Sequence, residues 1–478
     1  MGALVTKCGK QMAPHLKTVV PIWWLGCFDT NSEAASASLQ ALQTAFPQGK
    51  WKGVLSFCRV EIISTLVDFL EQDSQQLTDL KQATPEEAQE RQQRVHAQSL
   101  SGLREMILAT HEANEAGQTT SAKDNAAARE IVELVHSSTV DLPPTKSPLK
   151  QCFKVKTSSP AIRSAAYSLV TTLAIHTTDD STSKSASGSL DTTNGSKPWL
   201  SDWASLLLAS SLGEKEGSCL ESAWRLVLCL TKHMGNVWEA PGVDLRKSLL
   251  PKLCSQLKNA AYGRAICISE CVLPLVATMP PHIEILGQVR MLPFSFVDVK
   301  LLKLPWCLQV ADSALDGAKN AIQTDKLQGQ SVASMLSIAL DISIFVVGSI
   351  PRILEESKDD DEQLKAMLGS EVNQQSSSTD YTLETLIVQR VWKPYLNIAL
   401  MLPDPGSPFA TGILDASLFP FLNRLTSSSS ETAKRLLRFI ATSFVDFAHS
   451  HLGLDPENDG DPAGAKLVQT LVCRLHEN

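Results

Sequence analysis

The chain has 478 residues, of which 43% are hydrophobic, 20% charged and 6% aromatic. That balance excludes wholesale disorder, and a Leu-, Ala-, Val- and Ser-rich chain suits helices packed on helices better than a sandwich or barrel. The net charge of −8 argues against a general nucleic-acid binder, since counterion release needs a basic surface, and leaves room for a local basic patch.

The N-terminal stretch MGALVTKCGKQMAPHLK has no apolar signal region followed by a small-residue cleavage site, so the expected location is the cytosol. Trp23 and Trp24 lie in VVPIWWLGCFD, too short for anything but core or interface, with core the weightier reading. Leu39, Leu42 and Phe46 mark one face of a helix that Asn31 or Ser32 caps. The run from Val54 to Leu70 sets Phe57, Ile62, Leu66 and Phe69 at helical spacing. Thr84-Pro85-Glu86-Glu87 is a helix start, with Thr84 as cap and Glu87 closing a capping box, and the helix runs to about Ala113.

Further helices are expected near 125–136, 160–176, 200–211, 218–236, 244–259, 263–279, 296–318, 330–356, 380–402, 410–426, 430–451 and 464–476. The most apolar stretch, Ser334 to Ile350, contains Asp341 and reads as a core helix rather than a membrane span. No alternating strand pattern appears, and the Asn194-Gly195 pair lies inside a Ser/Thr tract. That tract, 177–198, is half Ser or Thr and reads as a mobile loop. Residues 357–379 form an acidic polar excursion, and 453–463 a short linker before the last helix.

Helix pairs of roughly 40 residues joined by short turns predict a HEAT/ARM-like solenoid. The sharpest segment is SSPAIRSAAYSLVTTL, 158–173. Pro160 fixes the helix start, Ala165 and Ala166 allow close contact, Ile162 and Leu169 face the core, and Arg163 can tie adjacent repeats through carboxylates or carbonyls. The expected fold is therefore an all-α solenoid of antiparallel helix pairs with polar loop insertions. Its repeats occupy 1–176, 199–356 and 380–478, and a non-repeating helical bundle is the alternative.

Chemistry-bearing patterns are sparse. The eleven cysteines are scattered, with no Cys-x-x-Cys pair, and read as buried reduced thiols; Cys267 and Cys271 are one helical turn apart on an apolar face. His449 and His451 are two apart and point to different helix faces. No P-loop, nucleophile elbow, kinase set or His-Glu-x-x-His motif is present, and the Asp359–Glu362 run lacks the spacing of a calcium loop. One anomaly remains: from Leu142 to Thr178 there is no acidic residue, while Lys146, Lys150, Lys154, Lys156 and Arg163 lie in the same stretch. These five are the candidate phosphate-contacting residues, weighed against an ordinary loop with exposed lysines.

Several segments resemble the N-terminal helical-repeat region of the listerin family, RING-type ubiquitin ligases of ribosome-associated quality control. They are GKQMAPHLKTVVPIWWLGCFDTNSEAASASLQALQTAFP (9–47), FCRVEIISTLVDFL (57–70), SSPAIRSAAYSLV (158–170), and the succession SAWRLVLCLTKHMGNVW (222–238), LLPKLCSQLKNAAYGRA (249–265) and VLPLVATMP (272–280). The resemblance covers the first 280 residues and weakens beyond 281. It implies a solenoid that docks the ligase on the large ribosomal subunit beside a NEMF-type factor when a stalled nascent chain is present. A distant zinc-binding RING then recruits a ubiquitin-conjugating enzyme. This sequence shows no RING pattern, so it is expected to carry no catalytic residue and no cofactor, to take no small-molecule substrate, to engage no membrane, and to be a fragment or a divergent scaffold. A HEAT-type adaptor of another pathway is the rival reading.

Overall fold

The computed structural model describes residues 7, 9–46, 50–79, 81, 83–115, 122–142, 144–177, 198–234, 245–259, 268, 271–276, 303–324, 329–355, 383–452 and 462–477, and among these there is no strand. The protein falls into two compact units, Met1–Val243 and Asp244–Asn478. Residues 178–197 of the predicted loop at 177–198, the predicted loop at 357–379, the acidic run Asp359–Glu362, Cys267 and most of the linker at 453–463 lie outside the described residues.

In the first unit a 3-10 turn, Gly9–His15, leads into α1 (Leu16–Gly26). There follow α2 (Ser32–Ala45), α3 (Lys50–Phe57), α4 (Arg59–Glu71), the short α5 (Ser74–Leu77), α6 (Pro85–Glu115) and α7 (Ala122–Thr139). The short α8 (Leu149–Cys152), α9 (Pro160–His176), α10 (Pro198–Gly213) and α11 (Gly217–His233) complete it. Helices α1, α4, α6, α9 and α11 pack successively on one another, while α7 covers α4 and α6 and α10 packs on α11. Skipping one or two helices to reach the next partner is what stacked helix pairs produce, since each pair buries its apolar stripe on the neighbouring pair.

Local chemistry sets the helix boundaries. The Asn31 side chain accepts from the amides of Glu33 and Ala34 at 2.9 and 3.2 Å, so Asn31 and not Ser32 is the cap. The Thr84–Glu87 box is complete in both directions, at 3.2 and 2.8 Å. The run from Val54 to Leu70 differs from expectation in being two helices, broken at Cys58. At that break Arg59 Nη1 donates to the Ser56 carbonyl at 2.8 Å, satisfying a backbone group that the ended helix leaves open. The break also swings Phe57 outward, so it is 60% exposed instead of joining the apolar face, with Lys17 Nζ 5.3 Å above its ring.

Indole N–H groups tie α1 to two other helices of this unit. Trp24, buried in α1, donates to the Gly102 carbonyl of α6 at 3.1 Å, and Trp23 to the Ser38 carbonyl at 3.1 Å. Gly102 makes this closeness possible: a Cβ there would stand 3.1 Å from Leu66 Cδ1 and 3.5 Å from Trp24 Nε1. Both tryptophans are core, as expected.

The second unit holds α12 (Leu245–Lys258), α13 (Lys303–Gln323), α14 (Gly329–Glu355), α15 (Leu383–Ile387), a π turn (Val388–Trp392), α16 (Lys393–Leu400), α17 (Pro408–Ser427), α18 (Glu431–His451) and α19 (Pro462–Glu477). Helices α12, α13, α14 and α17 pack in succession, and α18 joins α17, α14 and α19. The π turn lies just before Pro394, where the ring would crowd the Arg390 carbonyl of a regular α-helix; one wider turn relieves that clash. Pro420 within α17 deprives the Ala416 carbonyl of its helical donor, and Ser337 of α14 reaches it at 3.4 Å.

Helix α14 contains a span, Gly329–Gly348, long and apolar enough to cross a membrane, yet 67% of it is buried inside the protein. Asp341 is ion-paired with Arg424 of α17. Burial raises the Asp341 carboxyl above its ordinary range even though Arg424 pulls it down. An acid placed where a partner helix supplies its cation belongs to a core helix.

Two substitutions test this packing. Leu169, fully buried on α9 between α6 and α11, is expected on mutation to Asp to cost more than about 4 kcal/mol and abolish the cooperative melt of the first unit; an unchanged melting temperature would refute the assigned face. Gly317 to Ala would ordinarily stabilise a helix by about 1 kcal/mol. At this site the new Cβ would collide with the Leu257 carbonyl oxygen and stand 2.6 Å from Met335 Sδ, so thermal denaturation should show a loss instead.

Candidate functional site

The acid-free stretch is the connection from α7 through α8 to α9, and its backbone is pegged from below. Ser147 Oγ donates to the Thr139 carbonyl at 2.5 Å and accepts from the Leu149 amide at 3.1 Å. Leu149, Cys152 and Phe153 are buried. The Phe153 ring lies 5.6 Å from Tyr167 and 6.3 Å from Trp203, and its carbonyl accepts from Ser210 at 2.9 Å. Trp203 Nε1 in turn donates to the Val140 carbonyl at 2.9 Å. Hydrogen bonds to the end of α7 therefore fix the start of α8, and aromatic contact plus the Ser210 bond fix its end to α9 and α10.

Above these pegs Lys146, Lys154 and Lys156 are exposed and Lys150 is half-buried. None of the four has an ion-pair partner among the described residues. Four ammonium groups on one pegged connection, with no carboxylate in the stretch, make an outward-facing cationic patch on an acidic chain.

Arg163, the fifth candidate, does not belong to that outward patch. It is 2% exposed, because Pro160 starts α9 so that position 163 faces the corner between α10 and α11. There its Nε and Nη2 reach Glu214 Oε2 and Oε1 at 2.7 and 3.1 Å, a bidentate pair in which Glu214 is 0% exposed. Its Nη1 donates to the Ser158 carbonyl at 2.5 Å and the Val155 carbonyl at 3.4 Å. The sequence motif's other role for this arginine, tying neighbouring repeats, is the one the geometry displays.

Glu214 is also held by the Lys215 and Glu216 amides at 2.9 and 3.0 Å, and the Tyr167 hydroxyl donates to it at 3.4 Å. Burial opposes its ionisation, but Arg163 and the two amides outweigh burial and keep its carboxyl below the ordinary range. The Glu214 bond conversely raises Arg163 above its usual value. Burial pushes the neighbouring Tyr167 hydroxyl and Cys219 thiol up, so neither is poised to react. Glu214 was not singled out in the sequence; it lies 51 residues from Arg163 in a polar turn, SLGEKEGS, with no local mark of its partner.

The remaining candidates separate. Cys58, Cys152, Cys219, Cys229, Cys254, Cys271 and Cys307 are buried, Cys27 is half-buried and Cys473 exposed. His449 is exposed, whereas His451 stacks on Phe447 with ring centroids 4.3 Å apart. Among the described residues no group of three or more His, Cys, Asp or Glu side chains is placed to hold a metal.

Removing the Glu214 charge should expose how much the pair matters. Glu214→Gln leaves a buried guanidinium without its anion and is expected to cost about 3–5 kcal/mol in urea unfolding at pH 7. Because the folded carboxyl lies below its unfolded value, this stabilisation is present at neutral pH and is lost as pH falls through the folded value. The gap between parent and variant should therefore narrow from pH 7 to pH 3; a gap independent of pH would contradict the assigned ionisation.

Comparison with known proteins adds the family. The model of the E3 ubiquitin-protein ligase listerin N-terminal domain matches residues 1–279. The E3 ubiquitin-protein ligase listerin of Xenopus tropicalis is 28% identical over 284 residues, covering 59% of this chain and 14% of that protein. The Gallus gallus protein of the same name is 26% identical over 281 residues, again 59% of this chain and 14% of the relative. The Mus musculus one is 26% identical over 286 residues, with the same shares. The match thus spans about one seventh of these relatives' length and contains both Arg163 and Glu214. The chain belongs to the listerin family, through its N-terminal domain.

Proposed function

We propose that this helical stack is the ribosome-docking region of a listerin-type E3 ubiquitin-protein ligase, acting in the cytosol on large ribosomal subunits obstructed by a stalled nascent chain. The relatives it matches are named E3 ubiquitin-protein ligases, which supports a place in ubiquitin transfer. The transfer step belongs to a RING region that holds zinc and recruits the ubiquitin-conjugating enzyme. This stretch contributes placement and requires no cofactor or small-molecule substrate.

The observation that carries the reading is the pegged, acid-free connection that lifts Lys146, Lys150, Lys154 and Lys156 from a chain of net charge −8. An acidic protein gains affinity for RNA where cations are concentrated on one rigid surface, because each phosphate neutralised releases counterions. The NEMF-type factor is the second partner under this reading, met by the same docked stack.

Co-sedimentation tests it. The purified chain should sediment with large ribosomal subunits in a salt-sensitive way, and better with subunits carrying peptidyl-tRNA and the NEMF-type factor than with empty ones. Lys150→Glu, Lys154→Glu and Lys156→Glu together should weaken binding and lower the salt slope by about 2–3. A folded chain that binds neither form of subunit would instead favour a HEAT-type adaptor that binds protein. Unchanged affinity and slope in the triple variant would remove the lysines from the contact.

A further inference from the structure

Beyond the Phe153 anchor, the turn that displays Lys154 and Lys156 buries no apolar side chain of its own. Lys154, Val155, Lys156 and Thr157 are all exposed, Val155 at 42%, so apolar burial does not hold the turn. Its local bonds are short-range: Thr157 and Ser158 amides to the Lys154 carbonyl at 3.2 and 2.9 Å, and Ser158 Oγ to the Gln151 carbonyl at 2.6 Å. Apart from the Gln151 carbonyl, which also accepts from the Lys154 amide at 3.2 Å, the hydrogen bonds that reach residues 154–158 from outside the turn come, among the described residues, from one side chain, Arg163 Nη1.

That side chain is heavily committed. Of the five guanidinium N–H groups, two go to Glu214 and two to the Val155 and Ser158 carbonyls. With Nε and Nη2 on Glu214, the plane of the guanidinium aims Nη1 at those carbonyls. Glu214 itself is set by the turn between α10 and α11, through the Lys215 and Glu216 amides. A chain of contacts therefore runs from the corner of one helix pair, through a buried ion pair, to the backbone between two surface lysines.

We infer that Arg163 is a positioning residue for the lysine turn, so that the presentation of Lys154 and Lys156 depends on docking of the α10–α11 pair. This rests on the reading of the lysines as a phosphate-contacting surface. A preordered turn has less freedom to lose when it meets a ligand, so its loss lowers affinity without removing a charge.

The test separates turn order from stability. Arg163→Met with Glu214→Met removes both charges and strands neither, so the first unit should melt near the parent temperature. Trypsin should nevertheless cut after Lys154 and Lys156 at least about tenfold faster, since proteolysis follows local opening. Binding to large ribosomal subunits should weaken about tenfold at an unchanged salt slope, because every lysine is retained. Should the double variant not fold, Arg163→Lys is read the same way: it keeps a cation for Glu214 but has no planar fork to span both carbonyls. A folded variant whose turn stays as resistant to trypsin as the parent overturns the inference. Lys154→Glu with Lys156→Glu serves as the control: if it binds subunits as the parent does, the docking reading fails, while the trypsin result still decides the role of Arg163.

Discussion

A helix with one apolar stripe has to cover it, and in each unit the cover is the next helix of the same row. Helix α9 shows the constraint at its tightest. Ile162, Ala166, Leu169, Val170 and Leu173 are all buried, and the helix serves both α6 and α11. Each large aliphatic side chain buried this way contributes about 1.5–3 kcal/mol, and none of it is available until the neighbour is in place. The buried polar pairs of the first unit occupy gaps in that apolar contact. The indoles of Trp24 and Trp203 turn their N–H groups onto carbonyls of other helices, and Arg163 and Glu214 take up each other. Since buried polar groups without partners are costly, these pairings fix which helix faces which and in what register.

Where a residue's role depends on its own helix, the sequence was readable. The Asn31 cap, the Thr84–Glu87 box, the buried face of α9 and the all-α class follow from spacing and from residues within a turn of each other. The break at Cys58 was not readable, because the apolar period runs straight through it. Nor was the π turn before Pro394, although the proline itself was in view; a sequence shows that the helix must yield there, and the neighbours select how. In the middle of α14, Asp341 marked the helix as core, but its partner Arg424 lies 83 residues away and was visible only after folding.

The basic stretch illustrates the same limit. An absence of acids from Leu142 to Thr178 was legible as charge pattern, and the four lysines do emerge from one connection. Charge pattern has no term for direction, however, and Arg163 points inward to an acid from the following helix pair. The arginine's two sequence readings, surface cation and repeat tie, compete for the same guanidinium, and burial settles the competition in favour of the tie.

Packing between helices that are close in the chain also sets how the protein comes into being. Helix α9 ends at His176 and its partner α11 begins at Gly217, so a newly made apolar stripe waits for only a few dozen residues before its cover has been synthesised. At about 5–20 residues per second that is a wait of seconds. Contacts of such short range form quickly once both helices exist, so structure can advance along the chain in step with translation, and each unit can close before the next is complete. The last helix made at any moment is the exposed one, and its apolar face is where a holding chaperone would be needed.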